Sequence, residues 1–259
     1  MIRASSAPVA ATISYLLFIA NADVATAAQI KILSGSAIET AMAVLIPQFE
    51  QSSGHKVTFD FNGAIGAMTD RVQRGEATDV VIVSGAQIDA LEKQGRVVAG
   101  SRTDIAKVGV GLFVRKGAPK PDISSVDAFK QAMLAARSIG WNDPAAGAPV
   151  SIYMEGVLEQ LGIADAMKPK TVAFKQRSER FEAVARGDVE IGFNQISEII
   201  TAPGVDLVGP LPAPIQNVTL FVGGVVSTSK EQEAAKALMR FITAPAARLT
   251  WTARGFDTP

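Results

Sequence analysis

The chain has 259 residues, enough for one large or two small cores, and its 25 basic residues balance its 25 acidic ones, so no basic stripe points to nucleic acid. It has no cysteine, which excludes disulfides, thiolate nucleophiles and cysteine-held metal centres. The single histidine, His55, falls in a turn and excludes a histidine-built zinc site, so neither metal nor cofactor is expected.

Residues 1–27 read as an export signal. Arg3 supplies the positive start, 8–20 is an apolar run too short for a membrane span, and Ala25-Thr26-Ala27 fits small-x-small cleavage. The mature chain then starts at Ala28; Ala20-Asn21-Ala22 is a competing site. No later segment reads as a span, and the expected product is a periplasmic monomer that does not insert into a membrane.

The mature chain opens with a strand over 30–33, the turn Ser34-Gly35-Ser36-Ala37-Ile38, and a helix with Ala41, Leu45, Ile46 and Phe49 on its apolar face. A second strand over 57–61 ends in Asn62-Gly63-Ala64, and a helix follows from about 66 to 74. The β-branched run 80–83 is a buried strand closed by Ser84-Gly85, with a helix over 86–94. Successive strand–helix units of this kind predict a parallel sheet covered by helices. Small-residue turns at strand ends, each opening a helix, suit an anion.

A strand over 108–115 leads into the breaker Lys116-Gly117-Ala118-Pro119-Lys120-Pro121. Ser125 caps a helix over 126–135, and 138–141 is a short strand. A long turn over 142–150 places Ser151 before a helix over 152–161. Strand 172–174, helix 178–186 and strand 190–193 follow, the last ending in Asn194-Gln195. Arg186-Gly187-Asp188-Val189-Glu190 echoes Arg74-Gly75-Glu76-Ala77-Thr78-Asp79, each feeding a short strand. Segment 203–214 reads as a turn-rich return, 217–226 as a strand, and 230–242 as the main C-terminal helix, with a further helical segment after Pro245. The expected class is α/β with two lobes: 28–107 and 217–259 form the first, 108–216 the second, with the ligand between them.

Six stretches, 32–42, 59–68, 78–84, 143–153, 177–193 and 233–256, occur in an order that resembles the periplasmic molybdate-binding and related solute-binding proteins of ABC transporters. The resemblance implies a type II binding-protein fold, an anion in the cleft and an ABC permease as partner. The ligand positions depart from the molybdate pattern. Ala37 stands at the oxyanion-binding serine of the first turn, with Ser36 one place earlier; Ile65 stands at the second serine and Gln195 at the late tyrosine. A compact oxyanion would lose several donors there. The expectation is therefore a small organic anion, a di- or tricarboxylate and not molybdate.

Candidate ligand residues are Ser34, Ser36, Asn62, Ser84, Ser151, Arg177, Asn194 and Gln195. Arg177 suits a carboxylate bidentately. The serines equally suit helix capping, Asn62 equally supports its turn, and Arg177 equally suits a solvated helix start. An exported, cofactor-free aconitate isomerase is also similar to this family, which gives an enzymatic alternative: a proton shift served by Ser36, Tyr153, Glu39 or a carboxylate of the substrate itself. Glu39 equally suits the dipole of its own helix.

Overall fold

The computed structural model describes residues 27–61, 65–143 and 149–259. The expected signal segment, apart from Ala27, lies outside the described residues, as does Asn62. The chain forms β1 (Gln29–Ser34), a 3₁₀ turn (Ser36–Ile38), α1 (Glu39–Ser53), β2 (Lys56–Asp60), α2 (Ile65–Gln73), β3 (Val80–Ser84), α3 (Gly85–Lys93) and β4 (Thr103–Arg115). Next come α4 (Val126–Ala135), β5 (Ile139–Asn142), α5 (Pro149–Gln160), α6 (Ala164–Met167), β6 (Thr171–Phe174), α7 (Arg177–Arg186), β7 (Ile191–Gln195), α8 (Ile196–Ile199) and β8 (Val205–Pro210). The chain closes with β9 (Val218–Val225), α9 (Gln232–Thr243) and α10 (Arg248–Ala253).

The strands follow the order β2-β1-β3-β9-β4-β7-β5-β6, with β8 also on β4. Each end is a parallel trio: β1 lies between β2 and β3, and β5 between β6 and β7. The long strand β4 belongs to both halves. Thr103 to Gly109 pair with β9, whereas Val110 to Arg115 pair with β7 and β8. The architecture is the two-lobed type II binding-protein fold.

Gln216 pins the passage between the halves. Its side-chain oxygen accepts from Val110 N at 2.8 Å and Asn217 N at 2.9 Å, and its amide donates to Val110 O at 3.0 Å. Residue 109 must be small for this. A Cβ on Gly109 would lie 3.0 Å from the Gln216 amide nitrogen.

Each half has its own apolar core. In the first, α1 contributes Ala41, Met42, Leu45 and Phe49, and α9 contributes Ala234, Leu238 and Ile242 to one cluster. Its other sheet face buries Leu33, Val81, Val83, Ile88 and Leu91. In the second half, Phe129, Met133, Trp141, Leu158 and Phe193 pack together, and Phe113 stacks on Phe181 at 4.6 Å. Burying each such side chain contributes roughly 1.5–3 kcal/mol.

Several expectations are corrected. Segment 203–214 contains a strand: Val205–Pro210 runs along β4, and Pro210 is tolerated because β8 is an edge strand that the proline helps end. β4 starts five residues earlier than expected, since Thr103 already pairs with Gly223. Ser151 lies inside α5 rather than before it. Pro149 opens that helix, where a missing N–H costs nothing. Ser125 does cap α4, accepting from Ala128 N at 3.0 Å.

Candidate functional site

The two halves enclose a cleft of about 710 Å³. The first half contributes the turn after β1 (Gly35 to Ala37), Glu39, Phe61, Ile65, Thr219 and Phe221. The second contributes the end of β5 at Asn142, the first turn of α5, Lys175, Arg177 and Arg180 of α7, Asn194 and Gln195 of β7, and Glu198 of α8. The first turns of α5 and α7 therefore both reach the cleft, and the positive dipole ends of these helices favour an anion.

Arg180 carries the site's electrostatics. It is 2% exposed and lines the cleft. Among the described residues it makes no hydrogen bond or ion pair, and its Nε is buried without a partner. Its guanidinium lies 5.3 Å from the centre of the Phe181 ring and 6.0 Å from that of Phe113. Burial first, and the neighbouring Arg177 second, hold its pKa down at about 9. A buried cation without a counter-ion is costly, and an arriving anion removes that cost. Ser151 offers a second unsatisfied group: it is fully buried, lines the cleft, and its Oγ has no partner.

Glu198 is the second centre. Its side chain is 10% exposed and pairs with Arg177 Nη1. It also accepts from Ser36 Oγ at 3.0 Å and from Asn194 Nδ2 at 2.7 Å. Three of the candidate donors thus converge on one internal carboxylate. Gln195 donates to Thr219 Oγ1 at 3.3 Å, linking β7 to β9.

The structure brings Ser36, Ser151, Arg177, Asn194 and Gln195 to the cleft, and leaves three candidates away from it. Ser34 is fully buried at the end of β1, with an unpartnered Oγ. Ser84 donates to Gln87 Oε1 at 2.8 Å within the capping box of α3. Tyr153 packs against the second-half core. His55 is structural: its Nδ1 accepts from Ala28 N at 3.1 Å. No cluster of three or more His, Cys, Asp or Glu among the described residues has a metal-holding arrangement.

Arg180 and Glu198 were absent from the sequence-based candidates. Arg180 left a signal, because it shares the buried face of α7 with Phe181 and Val184, an apolar stripe interrupted by a charge. Glu198 left none, since its partners lie on other elements.

Residues 30–257 match the family of bacterial extracellular solute-binding proteins. The chain belongs to that family. Its place is therefore outside the cytoplasm, in the periplasmic or extracellular setting of the family, and no helix among the described residues is long and apolar enough to cross a membrane. It is 34% identical to an aconitate isomerase of a Pseudomonas species over 218 residues, covering 82% of this chain and 80% of the relative. It is 28% identical to the molybdate-binding protein ModA of Azotobacter vinelandii over 242 residues, 90% and 91% of the two chains. The tungstate-binding protein TupA from Desulfovibrio alaskensis superposes with a TM-score of 0.67 at 15% identity, over 90% of this chain and 99% of that one.

The expectation of a di- or tricarboxylate to the exclusion of molybdate is overturned by the match to ModA, which runs along nine-tenths of the chain. The physical error is visible in the cleft. Hydroxyls are absent at Ala37, Ile65 and Gln195, but the cleft lining also holds Arg180, whose Nε is buried without a partner, and the unpartnered hydroxyl of Ser151. The aconitate isomerase alternative is withdrawn with it. Of the two hydroxyls assigned to proton transfer, Ser36 is engaged by Glu198 and Tyr153 lies outside the cleft lining.

Proposed function

We propose that the chain is the solute-binding component of an ABC importer for a small oxyanion of the molybdate and tungstate type, handing its ligand to a membrane permease. One observation carries the reading: Arg180, buried and without a counter-ion among the described residues, lines the cleft. The unpartnered Ser151 hydroxyl supplies a neutral donor in the same cleft, which the first turns of α5 and α7 also reach. The match to ModA supports the ligand class. Such an anion bridges the two halves, which close on it about the Gln216 crossing.

The test is calorimetric titration of the protein with molybdate, tungstate and sulfate, alongside proton NMR of cis- and trans-aconitate in its presence. Saturable binding of at least one tetrahedral oxyanion, with both aconitates unchanged, is expected. Interconversion of the aconitates, or no binding of any of the three oxyanions, overturns the reading.

A further inference from the structure

The oxyanion reading leaves one feature of the cleft unexplained: an acid sits where an anion should. Glu198 engages Ser36, Arg177 and Asn194 at once. These donors come from the turn after β1, the start of α7 and the end of β7, so they converge from three separate elements and from both halves. Donors converging in this way on a carboxylate are those a bound oxyanion uses. Resting on the oxyanion reading, we infer that Glu198 is an internal stand-in for the ligand. A dianion displaces it to inherit its three donors, and the carboxylate thereby sets which ligand charge the cleft accepts.

One observation supports displacement over a fixed strut. Glu198 lines both the cleft and an adjoining cavity of about 560 Å³, whose walls include Phe181, Ala185, Thr201 and Ala202. The displaced side chain therefore has space to enter without disturbing either core. The charges favour displacement. Lys175, Arg177 and Arg180 line the cleft together with Glu39 and Glu198. A dianion held by Arg180 in the same cleft as an unmoved Glu198 meets like charge. Once Glu198 leaves, Arg177 becomes a second cation for the same ligand.

Tungstate and perrhenate separate charge from shape, being tetrahedral oxyanions of similar size carrying two charges and one. Calorimetric titrations compare the wild type with Glu198→Gln, whose amide keeps neutral hydrogen-bonding capacity toward Ser36 and Asn194. The variant is expected to bind tungstate about ten-fold or more tighter, since the competing charge is gone, with a smaller gain for perrhenate. An unchanged or weakened tungstate affinity in Glu198→Gln overturns the inference, and so does an equal gain for both anions, which signals a change in space rather than charge. Wild-type binding in either case leaves the oxyanion reading standing; no tungstate binding by wild type or variant overturns the inference, and the oxyanion reading falls with it only if molybdate and sulfate also fail to bind. If the variant does not fold, a crystal structure of the wild type with tungstate decides. Separation of Arg177 from Glu198 is expected, and an intact pair beside bound tungstate overturns the displacement.

Discussion

Replacing Arg180 by methionine should make the empty protein more stable and leave it unable to hold an anion. Arg180 is 2% exposed, has no counter-ion among the described residues, and has its pKa held down at about 9 by burial and then by Arg177. At about 1.4 kcal/mol per pKa unit, that depression corresponds to roughly 5 kcal/mol against the charged form as an upper limit. The substitution also loses the guanidinium over Phe113 and Phe181, a contribution of about 1–2 kcal/mol that the methionine thioether partly restores. The net expectation is a gain of about 2–3 kcal/mol. For a chain of this size that raises Tm by roughly 5–10 °C. The same variant should lose about 2–5 kcal/mol of affinity for tungstate, with a correspondingly smaller ligand-induced rise in Tm. Thermal melts by circular dichroism, with and without tungstate, read both effects. An Arg180→Met protein that melts lower when empty, yet gains as much from tungstate as the wild type, would refute the assignment of Arg180 as the waiting cation.

Acid should weaken the first half through Glu76. Hydrogen bonds from Arg71 first, then Lys31, hold Glu76 at a pKa of about 2, against an ordinary value of 4.5. A carboxylate lowered on folding stabilises above its unfolded pKa, so this contribution is complete above about pH 4.5 and is lost as pH falls toward 2. Urea midpoints across that window should fall less steeply in Glu76→Gln; identical slopes would remove Glu76 from the acid response. Gln216→Ala should cost about 1–3 kcal/mol in urea unfolding, because bonds to Val110 and Asn217 vanish together. An unchanged midpoint would mean that Gln216 does not hold the crossing. Lobe closure should appear in solution scattering as a smaller radius of gyration with saturating tungstate, and an unchanged radius at demonstrated saturation would count against it.

Much of the fold was legible because its signals are local. The β-branched run at 80–83 has every residue fully buried, and Ser125 announced α4 through its cap. Segment 203–214 was not legible, because four prolines and two glycines overrode the alternation within Val205–Pro210, and only β4 as a neighbour makes that stretch a strand. The start of β4 hid for the same reason. Asp104 is a poor strand residue alone, and the stretch is held as a strand by the pairing of Thr103 and Asp104 with Gly223 and Val222 of β9.

The site divides along the same line between local and tertiary signals. Ser36, Ser151, Asn194 and Gln195 stand at strand ends and helix starts, positions that order along the chain already marks as facing a cleft. Arg177 was readable as a cation but not as an engaged one. Its carboxylate comes from Glu198, 21 residues away on a different element. The exclusion of molybdate failed at this step. A count of donors aligned along the chain treats each residue as free, whereas the cleft holds Arg177 on an internal acid and leaves Arg180, three residues further along the same helix, without one. Ligand preference follows from which charges remain uncompensated, and compensation is a property of packing between elements. A sequence can nominate the charges of such a site; the pairing that decides which of them waits for a ligand exists only once both halves are folded.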